Sequence, residues 1–127
     1  MKQREIAALF ARTADLLELK GENVFRIRAY ERAAQNLEAF TGDLDALVAQ
    51  GRTRTIPGVG ADLAAKIAEY CATGRIAALD ALAKSVPPGL LELLQIPGLG
   101  PKTVKLLSDR RRIRSLEALE AAARAGT

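Results

Sequence analysis

The sequence contains no histidine and a single cysteine. Histidine is the commonest metal ligand and the commonest general base, so its absence argues against a zinc site and against a Ser-His hydrolase. A lone thiol cannot close an internal disulfide. Cys71 falls on the apolar side of its segment and reads as a packed thiol, not a reactive one. No apolar stretch approaches the length needed to cross a bilayer. The opening Met1-Lys2-Gln3-Arg4-Glu5 lacks the apolar core of a signal peptide, so a cytoplasmic location is expected. Little favours strands: Ala, Leu, Glu, Arg and Lys dominate, all strong helix formers, and the apolar runs are short. What remains is 127 residues, 49% hydrophobic, enough for one domain or two very small ones with a modest core.

The apolar positions recur at helical steps. Ile6, Leu9, Phe10, Thr13 and Leu17 mark one face of a helix from about Lys2 to Leu19, which Gly21 stops. A second helix is predicted from about Val24 to Ala39. Its buried stripe is read as Phe25, Ala29, Ala33 and Leu37 with Tyr30 beside it, and Arg28, Arg32 and Gln35 lie opposite. Asp43 is placed to cap a short helix, Leu44 to Gln50. Further helices are predicted over about 61–72, 76–84 and 90–95. Another runs from Pro101 to about Arg110, and a last one, capped by Ser115, to about Arg124. Pro87-Pro88 is the best boundary between two subdomains, 1–86 and 87–127.

One motif occurs twice, forty positions apart. Ile56-Pro57-Gly58-Val59-Gly60 and Ile96-Pro97-Gly98-Leu99-Gly100 each precede a helix, and residues 75–82 echo residues 112–119. Glycine permits a positive φ and leaves room for a close approach to the backbone. The first-turn N–H groups of the helix that follows suit an anion. The charge supports this: residues 1–51 hold seven Lys or Arg against eight Asp or Glu, whereas residues 52–127 hold twelve against seven. A polyanion such as nucleic acid is the partner that a basic half suggests. Solvated charge and an ordinary glycine turn are the plainer readings of either feature alone.

The pattern apolar-Pro-Gly-apolar-Gly followed by a helix resembles the helix-hairpin-helix DNA-binding motif. The resemblance reaches further. Residues 14–30, the continuation Arg32 to Leu37, the segment Ile56 to Tyr70 and the segment Leu94 to Lys102 are together similar to the N-terminal region of bacterial family X DNA polymerases, over nearly the whole chain. The resemblance implies an all-α fold of tandem helix-hairpin-helix units, like the small N-terminal domain of DNA polymerase beta. It implies backbone binding to gapped, nicked or 5′-phosphorylated DNA in repair, by a monomer without membrane attachment. It also allows a monovalent cation such as K⁺ at the hairpin carbonyls. No palm domain follows within these residues, so no polymerisation is expected of this chain by itself, whether it is complete or part of a longer polymerase.

The expected DNA contacts are Gly58, Gly60, Gly98 and Gly100, with Lys102, Lys105, Arg26, Tyr30 and Arg54; the run Arg110-Arg111-Arg112 adds charge beyond the second hairpin. Tyr30 suits base stacking, while the edge of a helix core is the plainer reading for a tyrosine. In animal relatives a lysine of the first hairpin's helix forms a Schiff base with 5′-deoxyribose phosphate, and Lys66 matches that position. A partly desolvated lysine at a helix edge allows such chemistry, while a snorkelling lysine is the plainer reading. Asp62 and Ala78 stand where lyases of the family tend to be basic. The leading expectation is therefore sequence-independent DNA binding. Its rivals are a lyase acting through Lys66 and a protein-interaction module.

Overall fold

The computed structural model describes residues 2–110 and 116–124. Among them are eight α-helices: α1 (Lys2–Leu19), α2 (Val24–Ala39), α3 (Leu44–Ala49), α4 (Ala61–Thr73), α5 (Ala77–Lys84), α6 (Pro88–Leu94), α7 (Pro101–Arg110) and α8 (Leu116–Arg124). A 3₁₀ turn, Thr53–Thr55, leads into the first hairpin. No described residue is in a strand, so the fold is all-α.

Local chemistry sets the helix ends. After α1 the Gly21 N–H donates to the Glu18 carbonyl and the Glu22 N–H to that of Leu17, at 3.0 and 2.9 Å. This pair of bonds closes the C-terminus as a Schellman motif. Asn23 caps α2 by accepting from the Phe25 N–H at 2.7 Å, and Asp43 caps α3 by accepting from the Ala46 N–H at 3.1 Å. Helix α5 has no side-chain cap of its own; the Glu69 carboxylate of α4 accepts its Ala77 N–H at 2.7 Å. Helix α6 starts at Pro88, two residues before the expected Leu90, because proline is well accommodated in a first helical turn. The expected Ser115 cap lies outside the described residues.

Two apolar clusters hold the helices. The larger joins α1 and α2 to Ile56 and Val59 of the first hairpin, Leu63 and Ile67 of α4, and Ile76 and Leu79. At its centre the Phe10 and Tyr30 rings meet edge to face, 5.3 Å between centroids. The smaller joins Leu16 and Leu19 of α1 to Val86, Leu90, Leu93 and Val104. One helix, α1, thus serves both clusters. In α2 the buried residues are Ile27, Tyr30, Ala33, Ala34 and Leu37. The strict four-residue stripe from Phe25 is a misreading: burial advances by mixed three- and four-residue steps, and Phe25 is left 76% exposed, with Ala29 also outside.

Candidate nucleic-acid interface

The two hairpins share one geometry. The Ile56 carbonyl accepts from the Val59 N–H at 3.1 Å, and the Ile96 carbonyl from the Leu99 N–H at 3.0 Å. Proline occupies the second position of each turn, and the third is a glycine with positive φ, +82° at Gly58 and +87° at Gly98. These are the features of a type II turn. The second glycines differ in kind. Gly60 has φ −90°, which any residue adopts, and a Cβ on Gly60 or Gly100 would meet nothing within 4 Å. They leave open space in front of the helix starts. The first intrahelical bonds run from Ala64 to the Gly60 carbonyl and from Val104 to the Gly100 carbonyl. The amides before them have no carbonyl behind them within the helix.

A family model for a helix-hairpin-helix domain matches residues 1–76, more than half of the sequence. The chain belongs to that family. A second model, for a SAM-like helix-hairpin-helix tandem, matches residues 90–125. The chain is also 34% identical over 122 residues to the DNA polymerase/3′-5′ exonuclease PolX of Bacillus subtilis (strain 168). That alignment covers 96% of this chain and 21% of the relative, so the chain spans about a fifth of the relative's length.

The first helix-hairpin-helix unit is clamped by α2. The Asn36 side-chain amide donates to the Pro57 carbonyl at 2.6 Å. The Arg32 stem lies so close that a Cβ on Gly58 would stand 2.9 Å from its Cγ. Arg54, on the 3₁₀ turn, and Arg26, near the start of α2, are both exposed. Lys66 sits on α4 with its side chain 15% exposed, and its ammonium meets the Asp62 carboxylate at 2.7 Å. Asp62, read from the sequence only as a departure from a basic family position, is the i,i+4 ion-pair partner of Lys66.

Tyr30, expected among the contacts, is in the core: it is 2% exposed and packed on Phe10, so its ring cannot stack on a base. Its hydroxyl is buried with no hydrogen-bond partner among the described residues. An unpaired buried hydroxyl carries a desolvation penalty of about 1–3 kcal/mol. Tyr30→Phe is therefore expected to leave the urea midpoint equal or higher. DNA affinity should stay unchanged, and a loss of affinity with intact folding would restore Tyr30 as a contact.

The second helix-hairpin-helix unit packs beside the end of α1. Lys102, 87% exposed, lies 3.9 Å from the Glu18 carboxylate. The Lys105 ammonium approaches the α1–α2 turn, 3.0 Å from where a Cβ on Gly21 would be. Acid accumulates here: partial burial, then the carboxylates of Glu18 and Glu31, push the Asp15 carboxyl above its ordinary value. The side chain of Arg110, and Arg111 and Arg112 altogether, lie outside the described residues. Lys102 lines a cleft with Gly100 and Pro101 of the second hairpin, whereas the contact shown for Lys66 is with Asp62. Among the described residues, no hydrogen bond or ion pair joins Arg26, Tyr30 and Lys66. Phe25 and Asn36 are the surface and clamp residues that sequence reasoning missed. Phe25 was hidden by its place in an apparent stripe, and Asn36 acts on a carbonyl 21 residues away.

Proposed function

We infer that this chain binds DNA through the sugar-phosphate backbone, without reading bases, and that it prefers gapped, nicked or 5′-phosphorylated DNA. One observation carries the reading: two type II hairpins each place a Cβ-free glycine before a helix start whose amides are free to receive a phosphate. The similarity to a DNA polymerase and exonuclease supports a role in DNA synthesis or repair, with this chain as the N-terminal part or a relative of a family X polymerase. The exposed Phe25 ring supports the preference for gaps, because an unpaired base offers a stacking face that a duplex hides. A K⁺ at the hairpins would use carbonyls. Those of Ile56, Pro57 and Ile96 already accept one hydrogen bond each and keep a second lone pair for such an ion.

Anisotropy titration tests the reading. Affinity for a gapped duplex bearing a 5′-phosphate should exceed that for a blunt duplex, with non-specific Kd around 10⁻⁴–10⁻⁶ M at physiological salt. With about four phosphates neutralised, raising salt from 50 to 200 mM weakens binding roughly 100-fold. Equal affinity at both salts would refute backbone binding and favour a protein-interaction module. Borohydride trapping on a 5′-incised abasic substrate addresses the lyase rival. No covalent adduct is expected, and an adduct lost in Lys66→Ala would establish the rival instead.

A further inference from the structure

The outward face of α2 contacts the first helix-hairpin-helix unit and borders a cleft that the second also lines. Toward its C-terminal end, Arg32 packs its stem against Gly58, and Asn36 holds the Pro57 carbonyl. One turn earlier, Arg28 lines a cleft of about 460 Å³ together with Gly100, Pro101 and Lys102, where the second hairpin enters α7. Arg28 and Arg32 are four residues apart on one exposed face, roughly 6 Å along the helix axis. Neither has an ion-pair partner among the described residues. The lysines of the two hairpin helices are differently placed: Lys66 is held by Asp62, Lys102 lies near Glu18, and Lys105 is turned toward Gly21.

We propose that this face of α2 is a track for the unpaired strand of a gap, with Arg28 and Arg32 each holding one phosphate as the strand passes between the hairpins. The proposal rests on the DNA-binding reading above. The rise between the two residues along the helix axis is comparable to the spacing of successive phosphates in one strand. A single exposed helix face with two free guanidiniums suits one strand better than two. The exposed Phe25, one turn before Arg28, favours unpaired bases over paired ones. Acidic groups bound the track: Glu18 and Glu31 line the same cleft as Arg28. Their carboxylates repel phosphate locally, so the strand is held at the guanidiniums.

The test uses the whole chain and two 5′-phosphorylated probes, a nicked duplex and a duplex with a five-nucleotide gap. Arg28→Met with Arg32→Met removes both charges and keeps an unbranched stem against Gly58. Affinity for the gapped probe should fall roughly tenfold, and the slope of log K against log salt should shrink by about 1.4, some 0.7 for each single-strand phosphate. Affinity for the nicked probe should change less than twofold. Arg28→Met alone, which leaves the Arg32 clamp intact, should shrink the gapped slope by about 0.7. Equal losses on both probes, or no loss on either, would overturn the track while leaving DNA binding in place. Failure of the unmodified chain to bind either probe would overturn the DNA-binding reading itself.

Discussion

Gly60→Ala combined with Gly100→Ala should leave the protein folded and strip it of most of its DNA affinity. Neither glycine has a positive φ, and the new methyl groups would meet nothing within 4 Å. Thermal melts by circular dichroism should therefore match those of the parent. A phosphate that must come close to the backbone would meet both methyl groups. Losing one charge-assisted hydrogen bond costs about 1.5–3 kcal/mol, or roughly 10- to 150-fold in affinity at each hairpin. Gly58→Ala makes the contrast: φ +82° and the Arg32 Cγ at 2.9 Å oppose any Cβ, so that variant loses stability as well, by about 1–2 kcal/mol for the backbone alone. If the Gly60 and Gly100 double variant binds a gapped duplex as well as the parent, phosphate does not approach these hairpins.

The largest stability effect is expected at Phe10. Its side chain is fully buried and meets Tyr30 edge to face at 86° where α1 packs on α2. Phe10→Ala removes a ring from this contact, at a cost of about 3–5 kcal/mol. That is a large share of the roughly 5–15 kcal/mol that holds a typical domain together. The melting temperature should fall on the order of 10 °C or more. A loss below about 1 kcal/mol in urea titration would mean that the α1–α2 contact contributes far less than its burial implies.

Helix bounds were legible where a local signal ends a helix. α1 ends before Gly21, α2 begins after Asn23, α3 after Asp43, and α7 at Pro101, each set by a residue within a turn of the boundary. The hairpins were legible for the same reason, since turn type is fixed by four consecutive residues. Burial along α2 was harder. Phe25, Ala29, Ala33 and Leu37 form a regular stripe in sequence, yet the helix packs along Ile27, Tyr30, Ala33, Ala34 and Leu37 and leaves Phe25 and Ala29 outside, because an average periodicity does not fix the angle of contact. Interactions that join distant elements were not legible: Asn36 with Pro57, Lys102 with Glu18, and Lys105 with the turn at Gly21 all depend on how helices meet. The Asp62–Lys66 pair is different. Its i,i+4 spacing lies open in the sequence.

Leu16 and Leu17 are adjacent, yet Leu16 belongs to the smaller apolar cluster and Leu17 to the larger. For anyone preparing fragments, this makes the Pro87-Pro88 site a poor place to cut. A piece ending at Val86 would keep every residue of the larger cluster but strip the cover from Leu16, Leu19 and Val86, whose partners Leu90, Leu93 and Val104 would be gone. A bare ledge of three aliphatic side chains invites self-association. Polar replacements at Leu16 and Leu19 are the natural remedy for such a fragment.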